Sequence, residues 1–420
     1  MEYHEEPDAL SKASETEKQE EYEFLQETIK DSRKQKRKIF LKYATLGLVF
    51  GMTASLGFFA LKPFLEDYFS FGTEQVTIPQ EDMETEIETE QEEELTVEDY
   101  RDMNEVLTEI GEEASKGVAE VIAVRPEEDW QKEEDGKNST SGIIVAENGP
   151  EYLIFASTGI SDDAVKYKVK FIDGKTYDAH LKKVDSNLGY GIYAVQKSAL
   201  AKGTEKKIRV AELGMTGSVK KGNTIIAIGS PFGYSGAMGF GVVASSEKSV
   251  THEDGEYRLI CTDVTGAENG SGALINIQGE IVGVIDQRAS VGDDSNLVIG
   301  YGISDMKSII EHLSNGMEVP YIGIRGVTVT ESVTEEQGIP SGVYVQSVSP
   351  DSPAMEAGIQ SGDVIVGIGK ETVTSLKGYH TILMKQHSGE TVRVHGKRIG
   401  SEDYVEMEYN VTIGTIPSKE

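Results

Sequence analysis

TDVTGAENGSGALINIQGEIVGVI, residues 262–285, decides the fold of most of this chain. Two short apolar runs, ALIN and EIVGVI, are joined through Gln278-Gly279, and Asn269-Gly270-Ser271-Gly272 precedes the first of them. Runs this short between turn-forming pairs predict strands rather than helices. The same punctuation continues upstream in VAEVIAV (118–124), TSGIIVA (140–146), EYLIFAS (151–157), YKVKFIDGKTYDAHLKKVD (167–185), YGIYAVQ (190–196), NTIIAIGSPFG (223–233) and YRLICTDV (257–264), and downstream in NLVIGYGIS (296–304). Many short strands with few helices predict a closed barrel or sandwich and disfavour a parallel sheet. The fold class expected is therefore mainly β.

Outside this block the chain changes character twice. From Pro320 it reads PYIGIRGVTV, then SPAMEAGIQSGDVI (352–365), in which Pro353 suits the start of a short helix and Gly358 its end. On the other side lies YATLGLVFGMTASLGFFAL (43–61), without a charge. At ~1.5 Å per residue it reaches roughly 28 Å, close to the hydrocarbon thickness of a bilayer. Arg33, Lys34, Lys36, Arg37, Lys38 and Lys42 precede it and acidic residues follow, so the positive-inside rule puts the N-terminus in the cytoplasm and the C-terminal bulk outside. A cleaved signal peptide is the competing reading; the charged tail in front and the lack of a clear small-x-small site argue for an uncleaved anchor.

Composition narrows the partners. Lys+Arg 40 against Asp+Glu 72 gives a net charge of -32, which repels nucleic acid and anionic lipid headgroups. Gly 45 against Pro 11 suits a turn-rich β protein. The single cysteine, Cys261, excludes an intramolecular disulfide and reads as a strand residue in an apolar setting. No cluster with metal-ligand spacing, phosphate loop or nucleotide motif occurs, so no metal and no cofactor is expected.

Five segments in order, TSGIIV, FIDGKTYDAHLKKVD, IIAIGSPFG, TDV with NGSGALIN, and GEIVGVI, resemble the HtrA/DegP serine proteases, and SPAMEAGIQSGDVI resembles their PDZ domain. The resemblance implies a trypsin-like double β-barrel followed by a PDZ domain, with one transmembrane helix in front. The expected layout is a cytoplasmic tail (1–38), a membrane helix (39–62), an acidic disordered linker (63–99), a protease-fold domain (100–317) and a PDZ domain (318–420). It further implies a possible homotrimer, and binding of polypeptide clients or C-terminal peptides by Tyr321, Ile322, Gly323 and Ile324.

Such proteases need a serine, an imidazole that takes its proton, and a carboxylate that orients the imidazole. By the flanks of FASTGI (155–160), Thr158 stands at the histidine position. By those of DSNLGYGI (185–192), Gly189 stands at the aspartate position. Neither side chain can do the work. The serine position falls on Ser271 or on Gly270, according to whether a one-residue deletion is placed after or before it. Two functions stay open: a pseudoprotease that binds peptides or misfolded proteins as sensor, scaffold or quality-control factor, and an endopeptidase in which Ser271 uses a non-standard base.

Overall fold

The computed structural model describes residues 32–69, 96–124, 138–160, 166–289 and 296–416. Most of the expected tail (1–38) and acidic linker (63–99) lies outside the described residues. Helix α1 (Ser32–Phe69) runs past both ends of the expected 39–62 span, and the Arg, Lys and Gln residues of its N-terminal flank favour helix. Its stretch Arg37–Phe58 is long and apolar enough to cross a membrane. There the hydroxyls of Thr45 and Thr53 donate back to Leu41 O and Val49 O at 2.9 and 3.0 Å, which hides their polarity.

A second unit covers residues 93–420. It opens with α2 (Val97–Ser115), whose first turn is closed by a capping box between Thr96 and Asp99; the last residues expected in the linker thus belong to this helix. Strands β1 (Val118–Val124), β2 (Ser139–Glu147), β3 (Glu151–Ser157), β4 (Lys166–Lys170), β5 (Thr176–Asp185) and β6 (Tyr190–Gln196) follow. They close into an antiparallel barrel in the order β1-β2-β3-β6-β5-β4. After the single turn α3 (Lys202–Glu205) come β7 (Thr224–Ser230), β8 (Ala237–Ser245), β9 (Ser249–His252), β10 (Gly255–Thr265), β11 (Ser271–Ile275), β12 (Ile281–Asp286) and β13 (Leu297–Gly302). Their order is β13-β12-β11-β7-β8-β10-β9, and a further β10–β13 pairing closes the second barrel.

The central strands are apolar at nearly every position because both of their faces are covered. In β3, Tyr152, Ile154 and Ala156 face the core of the first barrel, while Leu153 and Phe155 join a cluster shared with the second. Strand β7 repeats this, with Ile225 and Ala227 inside the second barrel and Ile226 and Ile228 in the shared cluster. Helix α4 (Ile303–Ser314) adds Ile303, Met306, Ile309, Ile310 and Leu313 to the shared cluster. The two barrels are therefore clamped face to face, and loops at their junction are held by both.

The C-terminal domain has its own core, which includes Ile322, Val345, Ile365, Leu376, Tyr379, Val394 and Val411. Its elements are β14 (Ile324–Thr328), α5 (Glu331–Gln337), β15 (Val343–Val348), α6 (Pro353–Glu356), β16 (Val364–Ile368), β17 (Glu371–Thr372), α7 (Leu376–Leu383), β18 (Thr391–Ile399) and β19 (Tyr404–Thr412). Pro353 opens α6 behind the N-cap Ser352, and Gly358 turns the chain at φ +86°. Strand β14 is at one edge of the sheet and pairs with β15.

Candidate functional site

Strands β3 and β5 both pair with β6, so the loops that follow them meet at one end of the first barrel. The Thr158 N–H donates to Gly189 O at 2.9 Å, which brings together the two positions matched to the imidazole and the carboxylate. Gly189 has φ +72°, a left-handed conformation in which a side chain is strained.

The space beside them is taken by Arg288, which projects from the turn after β12. Its Nη1 lies 3.1 Å from the point a Gly189 Cβ would occupy and 3.3 Å from that of Gly159. Asp286 holds it there: Arg288 Nε donates to Oδ1 at 2.9 Å and Nη2 to Oδ2 at 2.7 Å. The same carboxylate accepts the Arg288 N–H at 2.9 Å and the Tyr190 hydroxyl at 2.9 Å. Asp286 is buried and its lone pairs are all engaged, so the two-pronged clamp fixes the guanidinium and raises its already high pKa. A cation at this point opposes the imidazolium that a base at position 158 must form.

Ser271 opens β11 opposite Ser230 and Asp286. Its Oγ accepts the Ser141 N–H at 2.9 Å, and the Ser141 and Ser230 hydroxyls are 2.8 Å apart. Gly270 cannot stand in for it. A Cβ there would lie 2.7 Å from Pro231 O and 2.9 Å from Ala267 O, so no side chain fits. The Gly270 N–H donates to Ala267 O at 2.8 Å and closes a turn. Among the described residues each histidine is engaged elsewhere: His180 faces Glu151, His252 meets the Tyr301 hydroxyl, His312 bonds Ser308 O, His380 bonds Asp254 O, and His387 and His395 face Glu390 and Glu408. Cys261 is half-buried on β10, and burial pushes its thiol pKa up, away from reactivity.

Asp185, at the end of β5, is 3% exposed. Oδ1 accepts the Asn187 N–H at 3.0 Å while Oδ2 has no partner, and burial pushes its pKa up to about 6. It lines a cavity of about 20 Å³ between the first barrel and the C-terminal domain, together with Glu253, Tyr321 and His380, whose Nε2 is also unpartnered.

The four residues expected to bind peptide lead into β14. Gly323, at φ +88°, lets three successive N–H groups converge; a Cβ there would meet Ser352 Cβ at 2.4 Å. At their focus is the carboxylate of Asp254, from the tip of the β9–β10 hairpin. Its Oδ2 accepts from Ile322 N at 2.8 Å and Gly323 N at 2.7 Å, and its Oδ1 from Ile324 N at 3.1 Å and the Tyr379 hydroxyl at 2.6 Å. Tyr321 stands apart, its N–H donating to Gly414 O at 3.0 Å. Asn187 Nδ2 donates to Glu253 O at 2.7 Å and so ties the hairpin to the loop that carries Gly189. Arg288 and Asp254 were not among the expected site residues. A single Asp-Gly pair at the hairpin tip was the sequence signal for the second, and IDQRAS carried none for the first.

Residues 140–284 match the family described as trypsin-like peptidase domain, and residues 320–409 the family described as PDZ domain. Serine protease HTRA1 of Xenopus tropicalis is 30% identical over 286 residues, which cover 63% of this chain and 58% of that protein. Serine protease Do-like HtrA of Bacillus subtilis is 29% identical over 290 residues, covering 64% and 63%. The chain thus spans less than two thirds of the length of these two relatives. Among solved structures, HtrA-type protease AlgW with tripeptide is similar in fold at a TM-score of 0.53 and 17% identity, over 74% of this chain and 98% of that one. The same protein with decapeptide gives 0.51 at 17% identity, over 74% and 99%.

Proposed function

Because the chain belongs to the HtrA family, with a trypsin-like peptidase domain followed by a PDZ domain, we propose that it is a membrane-tethered pseudoprotease that binds polypeptide C-termini or misfolded clients. It serves as a sensor, scaffold or quality-control factor of the cell envelope. The observation that carries this reading is the Arg288 guanidinium, clamped by Asp286 against Gly189, the position matched to the carboxylate, and Gly159, the neighbour of the position matched to the base. Without a base, even a well-placed serine retains at most ~10³–10⁴ over water, and that remainder needs an oxyanion hole.

Peptide binding is supported by the converging N–H groups of Ile322, Gly323 and Ile324, which already grip a carboxylate. The AlgW structures with tripeptide and decapeptide agree with it. Helix α1, with its basic N-terminal flank, would hold the protein in the membrane with the N-terminus cytoplasmic. A homotrimer belongs to the same proposal and is tested by the mass of the detergent-solubilised chain.

The decisive experiment treats the full chain in detergent with a fluorophosphonate probe and, separately, with casein. The expected result is labelling no greater than in Ser271→Ala, and casein left intact. Labelling that Ser271→Ala abolishes, or cleavage of casein that the same substitution stops, would overturn the pseudoprotease reading in favour of an unusual serine endopeptidase.

A further inference from the structure

The contact between Asp254 and the 321–324 loop has the form of a ligand complex. His252 pairs with Gly255, so Glu253 and Asp254 are the two-residue tip of the hairpin. Asp254 adopts φ +57°, one of two non-glycine residues with positive φ among those described, and it is 4% exposed. A strained backbone and a buried carboxylate are both costly, and here they coincide on one residue whose side chain meets four donors. The main chain joins in: the Asp254 N–H donates to Ile324 O at 2.7 Å, and Asp254 O lies 3.0 Å from His380 Nδ1 on α7. A peptide that adds to a sheet edge beside such a loop makes the same two kinds of contact, carboxylate to the converging amides and N–H to the first carbonyl of the edge strand. Glu253 Oε1 accepts the Ser349 hydroxyl at 2.6 Å and pins the tip from its other side.

We propose that the β9–β10 hairpin is a built-in ligand of the PDZ domain, with Asp254 standing in for a peptide C-terminus, so that an incoming peptide must displace it to bind. This rests on the reading of the 321–324 loop as a peptide-carboxylate site, and it adds the regulation of that site. The hairpin competes from within the same chain. It therefore weakens the apparent affinity for any peptide by the fraction of molecules in which the loop is free. The ligand it selects is a chain end with a free carboxylate, since an amidated end brings one neutral acceptor oxygen to the three amides where Asp254 brings two charged ones.

The test measures binding of a fluorescent C-terminal peptide library, with free and with amidated ends, to the full chain in detergent. Wild type is compared with Asp254→Gly, which suits the left-handed backbone, and with Asp254→Asn, which keeps the shape and removes the charge. The expected result is binding about tenfold tighter or more in Asp254→Gly than in wild type, with Asp254→Asn between them and free ends preferred over amidated ones. Equal affinities in wild type and Asp254→Gly would overturn the built-in ligand while leaving the peptide site in place. No binding by any of the three proteins would overturn the peptide site itself. Should both variants misfold, hydrogen exchange on wild type decides: the Ile322, Gly323 and Ile324 amides are expected to be protected without added peptide. Exchange as fast as in an open loop would overturn the proposal.

Discussion

Substituting Asp185 by Asn should flatten the dependence of stability on pH between about 4 and 6, and the size of the effect follows from burial. The Asp185 carboxyl is 3% exposed, has no partner on Oδ2, and titrates near 6 in the folded chain. An unfolded aspartate titrates at about 3.9. Between those values the folded state holds a proton that the unfolded state has lost, so unfolding becomes easier as pH rises through the window. Two units at 1.36 kcal/mol each amount to about 3 kcal/mol, absent below pH 4 and fully lost from stability above pH 6. Asn keeps an oxygen for the Asn187 N–H and carries no charge at any pH. Urea unfolding of wild type and Asp185→Asn, followed by circular dichroism at intervals from pH 4.5 to 7.5, gives a difference curve from which titrations common to both cancel. The variant should gain on wild type by about 2–3 kcal/mol across this range. Parallel curves would refute the argument, and with it the claim that burial outweighs the hydrogen bond that Asp185 Oδ1 accepts.

Four further outcomes are expected. Phe155→Ala empties a fully buried site stacked on Tyr190 at 4.9 Å and should cost about 3–5 kcal/mol in the same unfolding assay. Arg398→Ala strands the buried Asp363, which Arg398 grips at 2.6 and 2.9 Å, and should cost about 3 kcal/mol, the low end for a broken buried pair since Arg398 is partly exposed. Despite its burial, Asp363 is held below its ordinary pKa by hydrogen bonds from Arg398, so this contribution is present above about pH 4 and lost as pH falls through the depressed value; acid unfolding of wild type against variant reads it. In Thr158→His, the new imidazole should titrate below the usual ~6.5 by NMR and rise by about one unit when Arg288→Met is added. Neither of these last two proteins should cleave casein.

The barrels and the C-terminal domain were legible because their evidence is local. EYLIFAS is apolar at almost every position, and its two faces serve two cores; SPAMEAGI carries its own cap and stop signals. Thr158 and Gly189 were matched through their flanking strands, and the Thr158 N–H donates to Gly189 O. The start of α2 was harder, since a capping Thr96 inside an acidic run looks like any other polar residue. Asp254 and Arg288 escaped for a different reason. Asp254 meets Ile322 across 68 residues, and the Arg288 guanidinium reaches Leu188 O across 100. No periodicity or spacing connects partners that only the packing of separate elements brings together.

Those two residues nonetheless obey one rule, which joins the protease fold to the PDZ domain. A trypsin-like site must stabilise a cationic imidazolium beside a carboxylate, and on the proposed reading the ion pair of Arg288 with Asp286 takes that place. The 321–324 loop, proposed above to receive an anionic chain end, already holds an anion in Asp254. Without Asp254 the Ile322, Gly323 and Ile324 amides would lose their partner. The first charge is fixed by two hydrogen bonds within a three-residue turn. The second rests on a hairpin tip in a strained conformation, held by a neighbouring domain, and is the one that the proposal has a ligand reverse.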